Sequence, residues 1–169
     1  VQVISTTFSS PPAWLVEAAH GAALQVWATV ANADDARTAV DAGADVLVAQ
    51  GAEAGGHRAS FDDHDERDVP LLELLADLGG LGAPVVAAGG IVDRASADAA
   101  RAAGASAVQA GTAFLLCPEA GTYPVHRDAL TRAGETAVTR AFTGRRARGI
   151  VNRFMRDHPS APSAYPQIN

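Results

Sequence analysis

The chain of 169 residues is 48% hydrophobic, 19% charged and 5% aromatic, and its formal net charge is −6. This composition excludes wholesale disorder, which requires low hydrophobicity and high charge density, and the acidic balance argues against a nucleic-acid partner. No apolar run approaches the roughly 18 residues that cross a bilayer, so we expect a cytoplasmic, globular protein with no membrane partner.

The single cysteine, Cys117, excludes a disulfide framework and a cysteine-based zinc cluster. The length predicts one domain. No charged segment followed by an apolar stretch opens the chain, so we expect no signal peptide. We also expect both ends to be cut, because residues 1–5 already form a predicted strand and residues 161–169 stop without a helix or a cap.

Short apolar runs alternate with alanine-rich stretches along the whole chain. The sequence predicts strands at residues 1–5, 24–30, 45–50, 84–88 and 107–111. It predicts helices at residues 12–20, 33–42, 69–78, 95–103 and 124–133. The runs 46–49 and 85–88 are continuously apolar, which is typical of parallel strands covered on both faces.

The predicted helices carry recognisable start and stop signals. Asn32 precedes two acidic residues and is a predicted N-cap, where acids suit the positive end of the helix dipole. Gly43 and Gly104 each stand between two alanines, where a glycine ends a helix in the left-handed conformation. The result is a series of βα units, which build either a doubly wound sheet or a (β/α)₈ barrel. Both architectures place their chemistry at the carboxyl ends of the strands.

A long loop after the third predicted strand carries the first candidate site. Gly55 and Gly56 would let the backbone approach a ligand closely, and His57 follows them directly. The alternative is a flexible loop with an exposed histidine, which we consider less favoured because of the glycine pair and the loop length. His64, in the same loop, lies among acidic residues that lack a coordinating register, so we expect a solvated charge run and no metal site.

Glycine-bearing turns follow the last two predicted strands. Gly89 and Gly90 form one, and Gln109, Ala110, Gly111 and Thr112 form the other. Unpaired N–H groups at a helix N-terminus favour an anion, and barrels usually hold a phosphate after their last strands. The alternatives are ordinary tight turns and, for Thr112, an ordinary helix N-cap.

The remaining candidates have simpler interpretations. Cys117 is predicted to be a buried structural thiol, and Trp14 and Trp27 are predicted packing residues. Arg145, Arg146 and Arg148 are interpreted as a solvated basic turn, with an anion or partner site as the alternative. The residues alone thus predict a phosphate-bearing cofactor and one histidine acid or base, without naming a reaction.

Several motifs together resemble the nitronate monooxygenase family, also called 2-nitropropane dioxygenases. They are Gln-Gly-Ala-Glu-Ala-Gly-Gly-His-Arg at residues 50–58, Val-Val-Ala-Ala-Gly-Gly-Ile at 85–91 and Val-Gln-Ala-Gly-Thr-Ala-Phe at 108–114. Ala-Phe-Thr-Gly-Arg at 141–145, Ala-Arg-Gly at 147–149 and Asn-Arg-Phe at 152–154 are similar to the C-terminal region of that family. The resemblance covers nearly the whole chain.

The resemblance implies a (β/α)₈ TIM barrel, of which this chain would hold about the last five βα units in one truncated flavin-binding domain. It implies non-covalent FMN and the oxidation of alkyl nitronates or nitroalkanes by O₂ to a carbonyl compound and nitrite. The implied flavin contacts are Gln50, Gly55, Gly56, Gly89, Gly90, Gln109, Ala110, Gly111 and Thr112. His57 matches the active-site histidine, which would act as the base on a neutral nitroalkane, since a histidine of unperturbed pKa about 6.5 is mostly neutral at pH 7.

Two departures from the family pattern leave alternatives open. Ala59 stands where family members often carry glycine, and the N-terminal third of the family pattern is absent. The alternatives are a flavin-dependent enoyl-acyl-carrier-protein reductase that uses NAD(P)H, and an inactive fragment or half-barrel, because five strands cannot close an eight-stranded barrel. The physiological substrate and the oligomeric state stay open, a homo-oligomer included.

Overall fold

The computed structural model describes residues 2–132 and 134–165. Val1, the first residue of a predicted strand, Ala133, the last of a predicted helix, and residues 166–169 of the predicted uncapped tail lie outside the described residues. The chain divides into two compact units. Unit 1 comprises residues 1–53 and 59–110, and unit 2 comprises residues 54–58 and 111–169.

Unit 1 is a five-stranded, fully parallel sheet, and its strands confirm the predicted ones. The strands, numbered along the chain, are β1 (Val3–Thr6), β2 (Gln25–Val30), β3 (Val46–Gln50), β5 (Val85–Ala88) and β6 (Ala107–Gln109). They lie in the order β1-β2-β3-β5-β6, so β3 occupies the centre. All four apolar residues 46–49 of β3 and all four residues of β5 are buried, as the continuous apolar runs predicted.

Four helices connect these strands and confirm the predicted ones: α1 (Ala13–Gly21), α2 (Ala33–Asp41), α3 (Leu71–Asp77) and α4 (Arg94–Ala102). The Asn32 side chain accepts the N–H of Asp35 at 2.8 Å, which is the predicted N-cap. Asp93 and Ser96 form a capping box at the start of α4. Gly43 and Gly104 end α2 and α4 at φ values of +96° and +104°, where a glycine costs least.

The two faces of the sheet bury different sets of side chains, because successive residues of a strand point to opposite faces. Leu47 packs in the larger cluster with Leu74 of α3, and both side chains are fully buried. Val46 and Val48 lie on the opposite face with Val86 and Ala88, and Trp27 packs against that cluster. Trp27 is therefore the packing residue that the sequence predicted, whereas Trp14 is 70% exposed, so the prediction for Trp14 is wrong.

A hydrogen-bonded carboxylate joins the amino ends of two central strands. Asp45, just before β3, accepts the N–H of Val26 at 2.7 Å and lies 3.0 Å from His20 Nε2. Partial burial acts to raise the pKa of Asp45, but the Val26 N–H and His20 outweigh burial and hold that pKa below its usual value. The contact between Asp45 and His20 thus links α1 to the amino ends of the strands, opposite the carboxyl ends where the sequence predicted the chemistry of unit 1.

Unit 2 contains a small antiparallel sheet that the sequence did not predict. The strands β4 (Gly56–His57), β7 (Thr136–Thr139) and β8 (Ala147–Ile150) lie in the order β4-β8-β7. Two 3₁₀ turns (Thr112–Phe114 and Pro118–Ala120), the predicted helix α5 (Pro124–Thr131) and the short helix α6 (Arg153–Asp157) complete the unit. Cys117, between the two 3₁₀ turns, is half-buried, so its predicted full burial is wrong. Across the described residues, no helix is both long and apolar enough to cross a membrane.

The two helix-ending glycines provide a matched test of the turn geometry. An alanine at Gly104 meets nothing within 4 Å, so Gly104→Ala should cost only the backbone strain of a positive φ, about 1–2 kcal/mol of unfolding free energy. An alanine Cβ at Gly43 would lie 2.9 Å from Val16 Cγ1. Gly43→Ala should therefore cost about 1 kcal/mol more. Urea denaturation of both variants measures the difference, and equal losses would show that Val16 moves aside freely.

Candidate functional site

Two glutamines flank an alanine at the carboxyl end of the parallel sheet. Gln50 ends β3, pairs in register with Ala88 of β5, and Ala88 pairs with Gln109 of β6. Gln50 and Ala88 share the face of Val48 and Val86 because of the two-residue repeat of a strand. Ala88, with only a methyl group, thus pairs with two residues whose amide side chains each carry donors and an acceptor. Unit 1 thus brings together the predicted residues of three strand ends.

The turn after β5 has an unusual backbone. Gly89 and Gly90 both adopt positive φ, at +102° and +69°, a backbone conformation that residues other than glycine rarely adopt. The helix α4 begins four residues later, at Arg94, and the Asp93 side chain caps it by accepting the N–H of Ser96. The turn is therefore a true glycine turn, and its position at a strand end matches the prediction.

Glu53 occupies the space beside this turn, and the sequence reasoning missed it. A Cβ on Gly90 would lie 3.0 Å from Glu53 Cβ, and a Cβ on Gly51 would lie 2.5 Å from Glu53 Oε2. The Glu53 carboxylate also accepts the N–H of Leu71, the first residue of α3, at 3.0 and 3.2 Å. Glu53 therefore joins the loop after β3, the turn after β5 and the start of α3. No local pattern signals this role, because Leu71 lies 18 residues further along the chain.

Two hydrogen bonds within unit 1 hold the part of the long loop after β3 that begins at Ala59. Gln50 Oε1 accepts the N–H of Ala59 at 2.9 Å, and Asp35 Oδ2 accepts the N–H of Phe61 at 3.1 Å. Ala59 is completely buried, so the residue that departs from the family pattern packs without exposing its methyl group. Burial raises the pKa of Asp35, against the lowering effect of its backbone hydrogen bonds.

His57 is held in a strand of unit 2, so the alternative of an exposed histidine on a flexible loop is wrong. Gly56 and His57 pair with Arg148 and Ala147 of β8. His57 is half-buried, and its Nε2 atom lies 2.8 Å from Thr143 Oγ1. The ring of Tyr165 lies 5.7 Å from the His57 ring, centroid to centroid. Thr143 and Tyr165 are neighbours of His57 that the sequence reasoning did not single out.

Arg58 and Arg145 are buried and donate hydrogen bonds to backbone carbonyls at or next to β4. The Arg58 guanidinium donates to the carbonyl of Ala54 and closes the turn that carries Gly55 and Gly56. The Arg58 carbonyl accepts from Arg145 Nε at 3.2 Å, and the Arg145 guanidinium lies 5.9 Å from the ring centroid of Tyr165. Because Arg145 is only 5% exposed, its interpretation as part of a solvated basic turn is wrong.

Gly55 contacts the second glycine-bearing turn within unit 2. A Cβ on Gly55 would lie 2.7 Å from Thr112 Oγ1, whereas a Cβ on Gly111 would meet none of the described residues within 4 Å. Gly111 is the N-cap of the 3₁₀ turn that begins at Thr112, so the prediction of Thr112 as the N-cap is wrong by one residue. Unit 2 therefore brings Gly55 and Thr112 together and leaves open space at Gly111.

His64 lies in a run of charged residues that is mostly exposed, as the sequence predicted, although the Asp65 side chain is only 12% exposed. His64 is exposed, and its backbone N–H donates to Asp62. Asp65 receives hydrogen bonds from Asn32 Nδ2 and from the Arg67 guanidinium. Among the residues that the structure describes, no three His, Cys, Asp or Glu side chains are grouped so that they could hold a metal ion.

The sheet and its helices form a partial (β/α) fold of the TIM-barrel type, which confirms the predicted fold class. The chain belongs to the nitronate monooxygenase family, since the family model described as nitronate monooxygenase matches residues 1–169.

Relatives in sequence and structure agree with this family. The nitronate monooxygenase of Pseudomonas aeruginosa is 44% identical over 169 residues, covering 96% of this chain and 47% of that protein. The structure of a nitroalkane oxidase from Streptomyces ansochromogenes is similar with a TM-score of 0.95 and 44% identity, covering 99% of this chain and 50% of its own. FabK from Thermotoga maritima is similar with a TM-score of 0.79 and 32% identity, covering 93% of this chain and 49% of its own. The chain thus spans about half the length of the curated relatives it matches, in agreement with a C-terminal portion.

Replacing Glu53 tests its role as a link. Glu53→Ala should lower the free energy of unfolding by about 1 kcal/mol, because the Leu71 N–H loses its acceptor at a helix start. Glu53→Gln keeps an acceptor oxygen and should lose less. Urea denaturation measures both, with Glu17→Ala on the exposed surface of α1 as the control. An Ala variant as stable as the Gln variant would contradict the role of the hydrogen bond.

Proposed function

We propose that this chain forms part of an FMN-dependent nitronate monooxygenase, which oxidises alkyl nitronates or nitroalkanes with O₂ to a carbonyl compound and nitrite. The observation that carries the proposal is the match of the family model over all of residues 1–169. The held position of His57 in β4 supports it, because a base must keep a fixed orientation toward its substrate. The experiment is nitrite release from a nitronate by the purified protein supplied with FMN.

The described residues fit a flavin in each unit taken by itself. In unit 1, Gln50 and Gln109 carry amide groups on either side of the small Ala88, and the turn of Gly89 and Gly90 has no side chain of its own. In the proposal, Gln50 lines the flavin ring, and Gly89, Gly90, Gln109 and Ala110 hold the ribityl and phosphate region. Backbone N–H groups without side chains in front of them are the usual partners of a phosphate.

In unit 2, four further residues are proposed flavin contacts because of the family resemblance. Gly55 and Gly56 lie against the flavin, and Gly111 and Thr112 bind its phosphate. The space at Gly111, where a Cβ would meet none of the described residues within 4 Å, supports this assignment. The Thr112 hydroxyl is an additional donor for an anion. Bound FMN would supply the redox chemistry with O₂, while the protein supplies position and electrostatics.

His57 is the proposed base for neutral nitroalkanes. It takes the proton from the carbon that bears the nitro group, and the electron pair of the C–H bond stays on the substrate, which becomes a nitronate anion. The imidazole becomes an imidazolium. A substrate supplied as its nitronate does not need this step.

The same assays separate the two alternatives. NAD(P)H oxidation with a 2-enoyl thioester and no nitrite release from nitronates would favour the enoyl-acyl-carrier-protein reductase. A colourless protein that binds no added FMN would favour the fragment or half-barrel. The cytoplasmic location and a homo-oligomeric state stay predictions.

Gly111→Ala separates cofactor binding from folding. Its φ of −115° is ordinary for any residue, and the added methyl group meets no atom of residues 2–132 and 134–165 within 4 Å. Stability should therefore change by less than about 0.5 kcal/mol, while FMN affinity should fall at least about tenfold because the methyl group enters the phosphate site. Fluorescence titration with FMN measures the affinity. The control is Gly21→Ala at the end of α1, where the new Cβ also has open space, and equal FMN affinity in both variants would contradict the assignment.

His57→Asn tests the base. The ratio of kcat/KM for a neutral nitroalkane to kcat/KM for its nitronate should fall at least about 100-fold, since a positioned general base contributes 10²–10⁴ to the rate. Nitrite assays on both forms of one substrate measure the ratio. An unchanged ratio in a variant that still binds FMN would remove His57 from this role.

A further inference from the structure

We propose that Thr143 is the positioning residue that fixes the ring and the tautomer of His57, and this inference rests on the proposed function of His57 as the base. The Nε2 atom of His57 and Oγ1 of Thr143 are 2.8 Å apart, although the two residues are 86 positions apart in the chain. This distance is that of a well-formed hydrogen bond. A contact between such remote residues arises only from the fold of unit 2.

Thr143 has a second polar contact that is compatible with His57 as the donor. Thr143 Oγ1 lies 3.4 Å from the backbone N of Arg145, which can only donate. A hydroxyl oxygen has two lone pairs, so it can accept both the Arg145 N–H and a His57 Nε2–H. In the proposed arrangement the Thr143 oxygen accepts from both groups, with His57 Nε2 as the second donor.

The consequence for His57 is a defined tautomer. With its hydrogen on Nε2, the neutral imidazole carries its lone pair on Nδ1, and Nδ1 is the atom that takes the substrate proton. The imidazolium formed keeps its Nε2–H bond to Thr143, so the ring does not reorient during the transfer. An orienting partner on the opposite ring nitrogen is the same physical arrangement that fixes the base in catalytic triads.

Strand pairing in unit 2 connects the backbone segments that carry His57 and Thr143. His57 pairs with Ala147 of β8, which in turn pairs with Thr139 of β7, and the chain between β7 and β8 carries Thr143. Gly144 turns this connection with a φ of +78°. The hydroxyl of residue 143 is thus placed by a short hairpin connection, so that a change of this one side chain alters the contact without removing the strands.

The first test uses nuclear magnetic resonance on the 169-residue chain without FMN. Ring N–H protons of exposed histidines exchange too fast to be seen, so a one-bond Nε2–H correlation of His57 in ¹⁵N-histidine protein reports the hydrogen bond. His57→Asn assigns this signal among the five histidines. We expect the correlation in the wild type and in Thr143→Ser, and its loss in Thr143→Val. A correlation at Nδ1–H instead, or an Nε2–H signal that persists in Thr143→Val, would overturn the proposal.

The matched control is Thr131→Val in α5. That hydroxyl donates to the carbonyl of Asp128 at 2.9 Å within its own helix, so the variant loses a threonine hydroxyl in the same unit. The His57 signal should be unchanged in Thr131→Val. Its disappearance there would mean that the signal reports general loosening of unit 2 and would overturn the specific role of Thr143.

The second test uses the FMN-loaded protein. The ratio of kcat/KM for a neutral nitroalkane to that for its nitronate should fall about tenfold in Thr143→Val and recover in Thr143→Ser, because misorientation of a reacting group costs rate in the step that uses it. An equal fall for both substrate forms would overturn a positioning role in proton abstraction. If the wild type releases no nitrite from a nitronate, the proposed function fails, and the magnetic resonance result still decides the hydrogen bond.

Discussion

One hydrogen bond closes the connection on which the candidate site depends: Gln50 Oε1 accepts the N–H of Ala59 at 2.9 Å. Gln50 ends the buried central strand, and the residues between the two partners include Gly55, Gly56 and His57. Because Ala59 is fully buried, its N–H needs this acceptor, since a buried donor without a partner costs free energy. Gln50 therefore has a structural role in addition to its proposed contact with the flavin. A substitution of Gln50 would change both the hydrogen bond to Ala59 and that proposed contact.

The supports of the site are mostly buried charged or polar groups rather than apolar packing. Asp35, Arg58 and Arg145 are each less than 10% exposed, and each bonds to backbone atoms of the long loop or of its strand. A buried charge costs free energy unless it is hydrogen-bonded. Such groups hold a loop in one conformation, since any displaced conformation leaves the charge without its partners. This specificity suits a segment that carries a candidate base.

The parallel sheet was predictable because its signals are local. Continuous apolar runs, the Asn32 cap and the stops at Gly43 and Gly104 each act within a few residues. The antiparallel sheet was not predictable. Its strand β4 has only two residues, and β8 contains Arg148 and Gly149, so neither shows a strand pattern in the sequence. Glycine turns and His57 could be found from sequence, whereas Glu53, Thr143 and the burial of Arg145 depend on contacts 18 to 87 residues apart.

The contact of Glu53 with Gly90 also constrains how the protein can evolve. The two residues belong to different motifs, yet a Cβ at position 90 would lie 3.0 Å from the Glu53 side chain. The nearest atom is Glu53 Cβ, which every residue except glycine carries, so shortening the side chain at position 53 would leave that close approach in place, and the positive φ of Gly90 would still favour glycine. The effects of substitutions at the two positions should therefore be non-additive. A redesign of the turn after β5 would have to treat residues 53 and 90 as one unit.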